Sequence, residues 1–207
     1  MLEILGRASS LNVRKVLWTC KELSLAFDRE DYGTGFRSLE TEEFRGLNPN
    51  AQIPVIIDGD FVLWESNTIC RYLINKAERD DLLPSDPVSR ARVEQWVDWQ
   101  ATELNQAWRY AFCALHWKYP AYQDTDQIAA SVKAWNRMMA ILDAQLAKTG
   151  AYVSGSDFTL ADIVLGLSTN RWLRTPIERP VYPAVAEWYS RLCERPAFLE
   201  YGPNGTI

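Results

Sequence analysis

Ser9 and Ser10 are the hydroxyls best placed for chemistry in this chain. They follow a short apolar run, Leu2 to Leu5, and precede Val13, Val16, Leu17, Cys20 and Leu23, which share one helical face. A strand therefore gives way to a helix at the two serines. The first turn of a helix gathers unsatisfied N–H groups and a partial positive charge, an environment that favours an anion or a thiolate. Serine is equally a preferred N-cap, so on this stretch alone capping competes with anion binding.

Other reactive side chains are sparse. The four cysteines, Cys20, Cys70, Cys113 and Cys193, form no C-x-x-C pair, which excludes a dithiol redox motif and argues against a zinc ribbon. Each lies in a segment of helical periodicity and is expected to be a buried, reduced thiol. His116 is the only histidine, so Ser-His-Asp catalysis or a multi-histidine metal site would hang on it alone. It stands far from any GxSxG-type turn and reads as a structural or surface residue; no metal is expected. A net charge of -5, with no stripe of Lys and Arg, argues against nucleic acid as a partner. No run approaches the ~20 apolar residues that span a bilayer. Met1-Leu2-Glu3-Ile4 has neither a basic leader nor a long apolar region, so a cytoplasmic chain is expected.

The elements that must carry Ser9 and Ser10 come in a definite order. Leu2 to Leu5 is a strand, Leu11 to about Leu23 a helix, and Ala26 to Glu30 a second strand. Gly33-Thr34-Gly35 breaks the chain, and Phe36 to Arg45 reads as a polar stretch with a short irregular helix ending at Gly46. Val55 to Ile57 and Phe61 to Trp64 flank Asp58-Gly59, a hairpin signal, and Pro54 stands where a strand tolerates a missing N–H. Glu65-Ser66 then opens a helix to about Lys76, with Ser66 or a neighbour as N-cap. The order β-α-β-α-β-β-α defines an α/β domain over residues 1–79. Residues 80–86 are a charged, proline-bearing linker, and 87–207 form an all-helical bundle domain. Within it, Asp86-Pro87 opens one long helix to about residue 117, with Val93, Val97, Gln100, Leu104, Trp108 and Ala111 on a shared face. A second long helix ends at Gly150. Thr159 and Asp162 form a capping box for a third, and Phe158 with Ile163 can form its staple. A last helix ends before Pro196, and only Tyr152-Val153 hints at a strand in this half.

Three motifs in this order resemble those of the cytosolic glutathione S-transferases. They are Ser10-Leu11-Asn12-Val13-Arg14-Lys15-Val16, then Asn48-Pro49 through Pro54-Val55 to Glu65-Ser66, then Ser156-Asp157-Phe158-Thr159-Leu160-Ala161-Asp162. The resemblance runs from Met1 to about Phe198, and the serine form of the first motif is similar to theta-like, mostly bacterial or plant, members. It implies a thioredoxin-like N-terminal domain that binds glutathione as co-substrate, a helical C-terminal domain, a homodimer, and a second substrate held between the domains. It makes Pro54 a cis-proline and pairs the backbone of Ile53 with the cysteinyl part of glutathione. Glu65 and Ser66 would hold the γ-glutamyl end. Ser10, with Asn12 in support, would be the catalytic pair, with Ser9 the runner-up.

The implied chemistry stabilises a thiolate from a thiol whose free pKa is about 8.5. Ser10 does this as a hydroxyl donor above a helix N-terminus, so no histidine base is required. Attack on a small, mostly apolar electrophile would follow. Where the family often carries Lys or Arg, this chain has Gln52, which offers no charge; Arg14, Lys15 or Arg71 are candidates to compensate. Trp108, Arg109, Phe112 and Trp117 are candidates for the second-substrate wall, against the alternative that aromatics at helical spacing are core. Two other functions compete: a binding or scaffold module with weak activity, and a specialised glutathione-dependent isomerase, dehalogenase or peroxidase.

Overall fold

The computed structural model describes residues 1–203, and the chain divides into two units, residues 1–84 together with the segment from Pro196 onward, and Ser85–Arg195. The helical unit thus stops short of the chain end expected for it, and the last four residues of that expected domain, 204–207, lie outside the described residues.

In the first unit, β1 (Leu2–Leu5), α1 (Leu11–Glu22), β2 (Phe27–Glu30), α2 (Glu42–Leu47), β3 (Val55–Asp58), β4 (Phe61–Trp64) and α3 (Ser66–Lys76) follow in turn. The sheet order is β2-β1-β3-β4, with β1 and β2 parallel and the pairs β1–β3 and β3–β4 antiparallel. Alternation along β1 sends Ile4 to one face and Leu5 to the other. Leu5 and Val55 pack with Tyr32 and with Phe44 of α2. Ile4, Val13, Val16, Leu17, Ile56, Ile69 and Leu73 are completely or almost completely buried, as expected where α1 and α3 pack together beside the strands. α2 begins later than the spacing predicts and runs through Gly46. Thr41 is the reason: its hydroxyl accepts from the Phe44 N–H at 3.2 Å and starts the helix there.

The helical unit contains α4 (Pro87–Trp99), α5 (Asn105–Leu115), α6 (Thr125–Thr149), α7 (Leu160–Arg174) and α8 (Pro183–Leu192). The single long helix expected from Pro87 is interrupted by a π-helical turn at Gln100–Leu104, and α5 ends at Leu115. α5 and α6 pack through Ser131, whose hydroxyl donates to Ala107 O at 2.7 Å and accepts from Ala111 N–H at 3.0 Å. α7 is buried on nearly every side. Its capping box is present, and Asp162 collects four donors: the N–H groups of Val153 and Thr159, the Thr159 hydroxyl and the Trp188 indole. Gly150 ends α6 at φ 75, a left-handed conformation that glycine adopts without steric cost. Tyr152 forms only an isolated bridge to Gly155. One short helix was not legible in the sequence: α9 (Pro196–Tyr201) belongs to the first unit.

Candidate active site

Strand register brings the first two motifs to one end of the sheet. Leu5, the last residue of β1, pairs with Val55, the first of β3, and Val55 pairs with Trp64, the last of β4. The turn after Leu5, the residues before Val55 and the residues after Trp64 therefore emerge side by side. They carry Ser9 and Ser10, Gln52 with Ile53 and Pro54, and Glu65 with Ser66.

Gly6 makes the close approach possible. It sits at φ 148, and a Cβ there would lie 2.6 Å from Val13 Cγ2 and 3.2 Å from Ile53 Cβ. The start of α1 and the segment before β3 are thereby drawn against the end of β1. Ser10 follows as N-cap of α1, with extended backbone at φ -74 and ψ 127. Its side chain makes no capping bond, so the simple helix-cap alternative is not realised. Among the described residues its main chain alone is engaged, the N–H donating to Arg7 O and the carbonyl accepting from Arg14 N–H. Ser10 is half-buried, whereas Ser9 and Asn12 are exposed.

The second strip is built by Asn48, whose amide donates to Gln52 O at 2.8 Å while its oxygen accepts from Asn50 N–H at 3.0 Å. The Ile53–Pro54 bond is cis. Among the described residues the N–H and C=O of Ile53 meet no backbone partner, as a peptide ligand lying alongside would require. Gln52 is exposed and neutral.

The third strip turns on Glu65, N-cap of α3 at φ 74 and ψ 107. A residue with a Cβ held there costs about 1–3 kcal/mol, and such strain concentrates at ligand sites. Ser66, 6% exposed, follows at the first helical position. The starts of α1 and α3 are tied together below the surface, where Lys15 Nζ donates to Asn67 Oδ1 at 3.0 Å. Lys15 and Arg14 are 1% and 0% exposed, so neither side chain reaches the surface to replace the charge that Gln52 lacks. Arg71 is half-buried on α3.

Cysteine chemistry is suppressed by the surroundings. Burial pushes the Cys20 thiol up to about 12 and the Cys70 thiol up to about 11, so neither supplies a thiolate near neutral pH. All four cysteines are free, with Cys193 only half-buried. Among the described residues no group of three or more His, Cys, Asp or Glu is placed to hold a metal ion.

In the helical unit the second-substrate candidates occupy unequal positions. Phe112 is completely buried. Trp108 is half-buried, its indole donating to Asn105 Oδ1 at 2.9 Å. Trp117 is 43% exposed and meets the Phe112 ring edge-on at 4.9 Å; Arg109 is exposed. Sequence spacing missed the member that organises this cluster. Arg171 of α7 lies 4.3 Å from the Trp108 ring and 4.4 Å from Phe112, a cation against two aromatic faces. Asn105 also accepts from Gln100 at 3.0 Å, joining the cluster to the π-helical turn. His116, though exposed, stacks on Phe112, and partial desolvation together with the nearby charge of Arg171 holds its imidazole below the ordinary range.

A four-stranded mixed sheet with a cis-proline opening β3, followed by an all-helical unit, defines a protein of the thioredoxin-like class with a helical C-terminal domain. More narrowly, the chain belongs to the glutathione S-transferase family, of the bacterial theta-like kind: residues 9–76 match its N-terminal domain and residues 104–196 its C-terminal domain. It is 35% identical over 199 residues to the glutathione S-transferase GstB of Escherichia coli K12, with 95% of each chain covered. Among solved structures, the theta class glutathione S-transferase of Xanthomonas axonopodis pv. citri with glutathione bound has a TM-score of 0.89 and 37% identity, covering 97% of this chain and 96% of that one. Glutathione transferase F7 from Populus trichocarpa has a TM-score of 0.87 at 25% identity, with 97% of each chain covered.

Proposed function

We propose that the chain is a glutathione transferase that holds the glutathione thiolate at the start of α1 and conjugates it to a small, mostly apolar electrophile. The observation that carries this reading is the Ser10 side chain. It stands at a helix N-cap without making a capping bond, so its hydroxyl remains available to donate to a sulfur. A donor to the charged form and a helix N-terminus behind it both lower a thiol pKa. Asn12, exposed two residues on, supports the same turn. Ile53, whose main chain meets no backbone partner among the described residues, offers it to the cysteinyl residue. Glu65 and the first N–H groups of α3, with Ser66, receive the γ-glutamyl end, Glu65 by charge to the ammonium. Trp108, Arg109 and Trp117 supply the second-substrate wall, with Phe112 supporting Trp108 from the core. A cytoplasmic homodimer completes the proposal, in keeping with the family.

One observation favours a second reading, a glutathione-binding or scaffold module of low activity. Gln52 is neutral, and Arg14 and Lys15 are buried away from the surface, so a carboxylate of glutathione meets less charge than in relatives with a cation at that position. Isothermal titration with glutathione and a conjugation assay with an aryl halide separate the two. Saturable binding with turnover that falls at least tenfold in Ser10→Ala but less than threefold in Ser9→Ala supports the transferase. Equal small losses in both variants would remove Ser10 from the mechanism, and no binding at all would leave the scaffold. A panel extended to epoxides, haloalkanes and hydroperoxides identifies conjugation, dehalogenation or peroxide reduction as the main activity.

A further inference from the structure

The C-terminal segment returns to the glutathione-binding unit and packs on α1. Phe198 is completely buried, its ring 4.7 Å from that of Trp18, which is also completely buried. Lys21 pairs with Glu200 at 3.0 Å, but both ends are exposed and such pairs contribute little. The weightier contact is Arg14. Its Nη1 donates to Tyr201 O at 3.2 Å and to Gly202 O at 2.9 Å. Arg14 is 0% exposed and its guanidinium stays charged at any ordinary pH, so these carbonyls stand in for water around a buried cation.

The same residue touches the site through its main chain. Arg14 N–H donates to Ser10 O at 2.9 Å and closes the first turn of α1. Arg14 is therefore held at two ends, by its amide to the Ser10 carbonyl and by its side chain to the C-terminal end of α9 and the residue after it. Gly202 is what lets that segment seat. A Cβ there would meet the Phe198 ring, which is packed against Trp18, so the ring would have to shift to admit it.

We infer that Pro196–Pro203 is a clamp on the first turn of α1, and that Arg14 is the positioning residue through which it holds Ser10 in line with the bound sulfur. The inference rests on the reading of Ser10 as the thiolate's donor. A hydrogen bond weakens steeply as its angle opens, and a misplacement of about 1 Å can cost as much as 10²-fold in rate. A residue at an N-cap is held on its helical side only by the first turn, so the stiffness of that turn sets the aim of the hydroxyl.

The test is the pH dependence of the bound thiol, read from its ultraviolet thiolate absorbance, in full-length Arg14→Met, Arg14→Lys, Gly202→Ala and Ser10→Ala. Arg14→Met is expected to raise the apparent pKa by about one unit, which is tenfold less thiolate below that pKa. The KM for glutathione should stay within about threefold, because Ile53, Glu65 and Ser66 are untouched. Amide exchange at residue 14 should quicken. Arg14→Lys should recover part of the shift, and Gly202→Ala should reproduce it in milder form from the opposite side of the contact. If Arg14→Met fails to fold, Gly202→Ala carries the test alone. A shift in Ser10→Ala with none in either clamp variant overturns the clamp and leaves the function standing. No shift in Ser10→Ala overturns both.

Discussion

Lys15 Nζ lies 3.0 Å from Asn67 Oδ1, a buried hydrogen bond that joins α1 and α3. Each residue belongs to one of the two helices whose first turns face the ligand in the proposed site. The bond therefore ties the place proposed for the sulfur to the place proposed for the γ-glutamyl end.

Breaking that bond on the acceptor side should be felt in both stability and binding. Asn67→Ala leaves a buried ammonium one acceptor short and is expected to cost about 1.5–3 kcal/mol. Asn67→Asp keeps an acceptor near a helix N-terminus and should cost less. Urea unfolding of the two variants checks the order; an Asn67→Ala protein as stable as the parent would mean the bond contributes nothing net.

Glu65 opposes stability to function. Glu65→Gly relieves a positive φ that glycine tolerates and should stabilise the fold by about 1 kcal/mol. It should also weaken glutathione binding by at least about tenfold, since it removes the carboxylate proposed for the ammonium. Glu65→Gln keeps the strain and loses only the charge. Thermal unfolding and calorimetric titration of both variants separate backbone from side chain.

Gly6 is expected to accept no side chain. Gly6→Ala combines a backbone at φ 148 with a methyl 2.6 Å from Val13, against a helix that cannot retreat from the sheet. A loss of about 3 kcal/mol follows from overpacking and strain together. Chemical denaturation measures it, and a loss under about 1 kcal/mol would mean that the α1 start is more yielding than its packing implies.

Asp162 gives the helical unit a pH dependence of defined sign. Burial lifts its carboxyl from 3.8 to about 6, against four donors that favour the ionised form. The folded chain thus keeps this proton over a range where the unfolded chain has lost it. The contribution is fully present below 3.8 and is lost as pH rises through about 6. Relative to Asp162→Asn, the parent should lose stability between about pH 4 and 7, by at most ~3 kcal/mol at 1.36 kcal/mol per unit. Parallel unfolding curves across that range would refute it.

Much of the fold that positions the candidate site was legible because it is made of local signals. Apolar spacing around Val13, Val16 and Leu17 marks α1, Asp58-Gly59 marks the hairpin, and Thr159 with Asp162 marks the start of α7. Each is a short-range pattern whose geometry follows from backbone sterics and capping. What escaped is non-local or arises from strain. The π-helical turn at Gln100–Leu104 has no mark in the sequence, because Val97, Gln100, Leu104, Trp108 and Ala111 keep ordinary α-helical spacing across it. Arg171 reads as one more polar residue on α7 until the fold carries it to Trp108 and Phe112. The Phe36 to Arg45 stretch was misplaced because one hydroxyl, that of Thr41, outweighs a weak pattern.

By itself, then, the sequence determines all four strands and most of the helices, that Ser10 stands at the head of one helix and Glu65-Ser66 at the head of another, and that Pro54 opens a strand. Only the tertiary structure decides that these lie together, because register across Leu5, Val55 and Trp64 is a property of three strands at once. It likewise decides what Ser10 does not do. Whether an N-cap hydroxyl bonds its own helix depends on its rotamer and on its three-dimensional surroundings, which no spacing along the chain encodes. The buried charges make the same point: Arg14 and Lys15 look like surface cations in the sequence, and become internal struts once Gly202 and Asn67 are folded against them.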